Sequence, residues 1–131
     1  MIFISHPFET TDAGLRHERE RYGRFFTQHI QSFFESEAVL NFPLNWYLTR
    51  EAINMTTLDE EAQQASLTWL AKADAVIFIP FPTSQPCLRT EMERKAALRM
   101  EILTAELPFF RQRFDRQKRV LNLLRSELQN A

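Results

Sequence analysis

The sequence predicts an α/β protein of the flavodoxin-like or Rossmann-like class: three layers, a parallel sheet of about four to five strands, and a long C-terminal helix. Three observations predict it. Short apolar runs alternate with stretches of helical periodicity along the whole chain. The run Ala75-Val76-Ile77-Phe78-Ile79 is uniformly apolar, as a strand covered on both faces must be. The 131 residues suffice for one core and are too few for two ordinary domains.

The elements follow in order. Ile2-Phe3-Ile4 is an apolar run ended by Ser5-His6-Pro7, so it reads as a buried first strand. From about Thr11 to Glu35, Leu15, Tyr22, Phe25, Phe26, Ile30, Phe33 and Phe34 recur at helix spacing, with Thr11 or Asp12 as the cap. Ala38 to Phe42 forms a second strand, stopped by Pro43. Leu44 to Thr56 has no clear period and is a loop or short helix. Thr57-x-x-Glu60 is a capping box opening a helix to about Lys72, with Ala62, Ala65, Leu67, Trp69 and Leu70 on its buried side. The strand at 75–79 ends at Pro80, and a helix runs from about Pro86 to Arg99. Glu101 to Thr104 is the last strand, and a final helix starts near Pro108. The division is an α/β unit over 1–106 and a helical segment over 107–131.

Composition excludes several chemistries. With only Gly14 and Gly23, there is no dinucleotide loop, no phosphate-cradling loop and no nucleophile elbow, since each needs backbone that glycine alone tolerates. One cysteine, Cys87, allows no internal disulfide, and a reducing cytoplasm is the default. His6, His17 and His29 have no metal-ligand spacing, so no metal and no cofactor are expected. No apolar run reaches membrane-spanning length, and the N-terminus lacks a signal-peptide pattern. The net charge of −1 predicts no general affinity for nucleic acid.

The charge is uneven. From Pro108 onward six Lys/Arg face only Asp115 and Glu127, a net of +4 that leaves −5 on the rest. This is a solvated helix flank or a phosphate-binding face. Along the same helix Leu107, Phe110, Phe114, Gln117, Leu121, Leu124 and Leu128 alternate spacings of three and four. Such a stripe either lies on the chain's own sheet or forms a self-association seam, and the regular heptad with its central glutamine favours the seam of a homodimer.

In a parallel α/β sheet ligands lie beyond the carboxyl ends of the strands, which selects residues 5–8, 41–47 and 80–91. Glu91 falls one turn into the helix after the central strand, where the helix end favours its ionised form. It is either a nucleophile or a first-turn glutamate satisfying free N–H groups. His6 is a general acid or a hydrogen-bonded structural histidine. Trp46 and Tyr47 stack on a planar base or plug the core. Ser84 and Gln85 contact a hydroxyl or phosphate, or cap the next helix.

These residues resemble a family. Met1 to Phe8 (MIFISHPF), Asn41-Phe42-Pro43, Lys72 to Pro80 (KADAVIFIP), Ser84, and Cys87 to Glu93 (CLRTEME) with Ala96-Ala97 look like nucleoside 2-deoxyribosyltransferases and their small phage and bacterial relatives. The resemblance covers about residues 1–104. It implies that Glu91 is the nucleophile that attacks the anomeric carbon of a nucleoside or nucleotide, and that Ser84 and Gln85 touch the sugar or assist the base. It implies no cofactor, and His6, Phe8, Asn41 and Trp46 join the expected substrate-binding set. The family glycine before that helix is Pro86 or Cys87 here, its first-strand tyrosine is Phe3, and its loop aspartate is Gln85. A non-catalytic binding or assembly module on the same fold is therefore the alternative. A second resemblance, to TIR domains that cleave NAD, rests on Phe3-Ile4-Ser5-His6, Asp74 to Ile77 and Ser84, Cys87 and Glu91; it ranks below the first.

Overall fold

A computed structural model describes residues 1–10, 12–48, 60–81, 87–109 and 114–130. The described elements are β1 (Ile2–Ser5), α1 (Ala13–Phe33), β2 (Val39–Asn41), α2 (Phe42–Leu48), α3 (Glu60–Leu70), β3 (Ala75–Phe78), α4 (Leu88–Arg99), β4 (Leu103–Glu106) and α5 (Phe114–Gln129). The four strands are all parallel in the order β2-β1-β3-β4. Register aligns Ile2 with Val39 and Ala75, and Ala75 with Leu103.

Strand alternation sorts side chains into two layers. Ile2, Ile4, Ala75 and Ile77 pack with Phe26, Ile30 and Phe34 of α1 and with Leu121 and Leu124 of α5. Phe3, Val76 and Phe78 pack on the opposite face with Leu70 of α3 and Ala96 and Ala97 of α4. The three-layer α/β class is therefore the one observed. β1 and β3 are buried along their whole length, whereas β4 alternates half-buried with exposed positions, as an edge strand does.

Local chemistry explains the element ends. Asp12 caps α1, its Oδ1 accepting from the Leu15 N–H at 2.9 Å. Asn41 does the same for α2, accepting from Leu44 N–H at 3.2 Å, so the segment around Pro43 is helical from Phe42 onward. α4 ends in a Schellman arrangement, with Ile102 N–H donating to Ala97 O at 3.1 Å and Glu101 N–H to Leu98 O at 3.2 Å. Glu101 takes the left-handed position there (φ 55°) that glycine usually fills. The Thr57 capping box lies outside the described residues.

Several expectations change. Phe42, expected to end the second strand, opens α2 instead. β4 begins two residues later than expected, at Leu103. Trp69, expected on the buried side of α3, is 48% exposed, with the Lys72 ammonium 4.9 Å from its ring centroid. The stripe expected to form a dimer seam lies on the chain's own sheet. Leu107, Gln117, Leu121 and Leu124 are buried in the monomer, and Leu128 packs against the same cluster. Gln117 interrupts the stripe because its Nε2 donates to Pro108 O at 2.9 Å. Phe110 lies outside the described residues. The basic residues of α5, Arg116, Lys118, Arg119 and Arg125, form its exposed flank. No described helix is long and apolar enough to cross a membrane.

Candidate functional site

The order β2-β1-β3-β4 reverses direction between β1 and β3, and a crevice opens beyond the carboxyl ends of strands at such a switch point. The loop after β1 (His6 to Thr10) and the start of α4 meet there. Their junction is a buried ionic cluster centred on Arg89. Within α4, Arg89 and Glu93 are one turn apart on the sheet-facing side, continuing the stripe of Ala96 and Ala97. Arg89 Nη2 donates to His6 O at 2.6 Å, Nε to Glu9 Oε1 at 2.5 Å, and Nη1 to both oxygens of Glu93, that to Oε2 at 3.0 Å. Cys87 Sγ donates to the other Glu9 oxygen at 3.0 Å, and Arg19 Nη1 donates to the Glu9 carbonyl at 3.1 Å. One guanidinium thus joins the end of β1, the β1–α1 loop and α4.

Burial sets the protonation of this cluster. It pushes the Glu9 carboxyl up, but the Arg89 charge and its hydrogen bond outweigh it, so Glu9 is held below the ordinary carboxylate range. Glu93 is fully buried, and there burial wins over Arg89 while the Glu9 charge adds to it, so its carboxyl titrates above the ordinary range. The Ser5 and Ser66 hydroxyls face Glu93, although neither reaches hydrogen-bonding geometry. Burial, followed by the Glu9 charge, pushes the Cys87 thiol up as well, so it is a proton donor to Glu9 and no thiolate nucleophile. Two carboxylates whose environments push their pKa values apart can divide acid and base roles. Here both are committed to Arg89.

His6 points to the opposite face of the sheet, against α1. Its ring lies 4.5 Å from Phe81, near-parallel, and is fully buried. Nδ1 faces the Pro7 carbonyl at 2.9 Å, and Asn41 Nδ2 faces Nε2 at 2.8 Å. A carbonyl on one side and an amide donor on the other assign the proton to Nδ1 and leave Nε2 the acceptor. Burial lowers its pKa from 6.5 to about 4, so the ring is neutral. Asn41 Nδ2 also donates to Thr27 Oγ1 at 3.0 Å. Gly23 makes this possible: a Cβ there would stand 2.9 Å from His6 Nε2 and 3.1 Å from Leu44 Cδ1. Gly23→Ala gains about 1 kcal/mol of helix propensity and loses about 1–3 kcal/mol to overpacking. We expect urea denaturation to report a net loss of up to about 2 kcal/mol; a stabilised variant would show that His6 moves aside freely.

The remaining expected residues divide. Phe8 is fully buried and stacks on Tyr47 at 5.5 Å, in a cluster with Leu44 and Ala62 against which half-buried Trp46 packs. Trp46 also stacks on Phe42 at 5.6 Å. His6, Phe8, Asn41 and Trp46 are therefore gathered near the ends of β1 and β2. Glu91 stands apart from them. It is exposed on the side of α4 turned away from Arg89 and Glu93, and it makes no ion pair among the described residues. Ser84 and Gln85 lie outside the described residues.

The sequence reading missed Glu9, Arg19, Arg89 and Glu93. The available signal was the α4 spacing, because Arg89 and Glu93 share the helix face of Ala96 and Ala97. Among the described residues no group of three or more His, Cys, Asp or Glu could hold a metal ion.

Fold and site together define a parallel α/β protein with an ion-locked junction at its switch point. No family model, curated protein or solved structure matches the chain.

Proposed function

We propose that the chain binds a nucleoside or nucleotide at the strand ends and cleaves or transfers its N-glycosidic bond, with Glu91 as nucleophile. One observation carries the reading. Of the four carboxylates that the β1–α1 loop and the start of α4 contribute, Glu9 and Glu93 are bound to buried Arg89 and Asp12 caps α1, which leaves exposed Glu91 to meet a ligand. A Glu91 carboxylate oxygen would bond to the anomeric carbon as the C–N bond breaks, the base leaving with the electron pair and taking a proton from water. Water or a second base would then attack the same carbon and release Glu91, with retention of configuration. The buried cluster supports this by fixing the start of α4 to the end of β1.

A second reading, a non-catalytic binding module, is favoured by the way His6 and Asn41 use their polar atoms on each other, Pro7, Thr27 and Leu44. A 2-deoxy-2-fluoro nucleoside distinguishes the two, because fluorine slows hydrolysis of a glycosyl-enzyme and lets it accumulate. We expect intact-mass analysis to find a glycosyl adduct in the wild type and none in Glu91→Ala, which sits on the surface and should melt normally. Ligand-dependent thermal stabilisation without adduct or hydrolysis favours the binding module.

A further inference from the structure

We propose that the outer face of α4 is a homodimer contact, in which the helix packs antiparallel against α4 of a second copy. The stripe expected to mediate self-association lies in the chain's own core, but another apolar face is exposed. Leu98 is 79% exposed and Leu88 40%, and both lie on the outward side of α4 together with Glu91 and Lys95. The spacings of three, four and three align all four along one stripe.

The order of residues in that stripe identifies the occupant. It reads apolar, acidic, basic, apolar, and it is symmetric about position 93: Leu88 and Leu98 are equidistant from it, as are Glu91 and Lys95. A two-fold axis through that point sets Leu88 of each copy against Leu98 of the other and Glu91 against Lys95 of the other. Isologous contacts demand this self-complementarity. Any partner of one charge sign would leave Glu91 or Lys95 facing a like charge. Arg94, next to Lys95, is already engaged: it pairs with Glu106 at 3.0 Å and covers the Phe78 ring at 4.3 Å. Beyond Leu98 the apolar surface continues into a cleft of about 700 Å³ that Ile102 and Leu103 help to line.

The pairing goes beyond the glycosidic reading and stands without it. In that reading Glu91 attacks the sugar in the monomer, where no Lys95 of a second copy covers it; in the binding-module reading the pairing is an assembly contact.

Sedimentation velocity of the full chain from about 5 to about 200 µM tests it. The wild type should shift from monomer to dimer, and Leu98→Glu should be monomeric throughout. Glu91→Lys and Lys95→Glu should each weaken the dimer at least about tenfold, and the double exchange should restore it. All these positions are exposed, and circular dichroism checks that each variant folds. A wild type monomeric at the highest concentration, a dimer indifferent to Leu98→Glu, or a double exchange no tighter than the single ones overturns the proposal. The adduct assay separates the two proposals. A monomeric wild type that forms adduct sinks only the dimer. A dimer rebuilt by the double exchange, with no adduct in the wild type, sinks only the chemistry.

Discussion

Arg89→Met is expected to lower the stability of the chain by about 3–5 kcal/mol, the cost of leaving buried charge uncompensated. The guanidinium is 3% exposed and is the only ion-pair partner of Glu9 and Glu93 among the described residues. It also donates to His6 O. Removing it leaves the Glu93 carboxyl group and a backbone oxygen without a donor and Glu9 with the Cys87 thiol alone, and methionine replaces the stem of the side chain but none of its five N–H groups. In a chain this size the loss corresponds to a melting temperature lower by roughly 10–20 °C. A drop of only a degree or two would mean that water reaches the cluster.

A companion variant tells what the cluster contributes. Replacing Arg89, Glu9 and Glu93 together with apolar residues removes the desolvation of all three charges along with their attraction. Buried ion clusters exchanged in this way are often neutral or stabilising by about 1–4 kcal/mol. Here the unpaired His6 carbonyl returns part of that as a cost. We expect the triple variant to melt well above Arg89→Met. Stability alone then does not account for the cluster. Its contribution is a fixed geometry between the end of β1 and the first turn of α4, where Glu91 stands.

Fold class was legible because periodicity reports burial directly. β3 is apolar on both faces because both are covered, and the α1 stripe reappears in the core as Phe26 and Ile30. Where the stripe contains Arg19 and Gly23, apolarity gives no signal. Those positions are buried for other reasons: a guanidinium bound to the Glu9 carbonyl, and a close approach of His6. The same blindness hid Arg89 and Glu93, because arginine and glutamate on a helix normally mark its wet side. β4 was placed too early because Thr104 and Glu106 alternate outward from an edge strand, so the apolar start at Ile102-Leu103 carried the weight. The α5 stripe was ambiguous in principle. A helix lying on a sheet and a helix in a coiled coil both need apolar residues at threes and fours, and only the presence of a sheet to receive Leu121 and Leu124 decides.

The second large effect is acid sensitivity from His6. Its folded pKa of about 4 lies below the 6.5 of the exposed side chain, so between these values the unfolded chain binds a proton that the folded chain refuses. Stability is therefore fully present above pH 6.5 and falls as the pH drops toward 4, by about 3 kcal/mol in all and about 2.5 kcal/mol by about pH 4.5. Burial is the chief cause, and the Arg89 charge adds to it, against the opposite pulls of the Pro7 carbonyl and Glu9, which burial outweighs. Glu9 acts in the same direction in more acid solution, since a depressed carboxyl loses its stabilisation as the pH falls through its folded pKa. Glu93 acts the other way: its raised carboxyl stabilises the fold at low pH, and that contribution fades as the pH rises. Comparing the wild type with His6→Gln separates them, because glutamine can accept from Asn41 without titrating and leaves Glu9 and Glu93 in place. The wild-type urea midpoint should fall by roughly 1–2 M more than that of His6→Gln between pH 7.5 and about pH 4.5. Parallel pH profiles for the two proteins would show that His6 binds its proton in the folded state, and that the Asn41 contact opens to allow it.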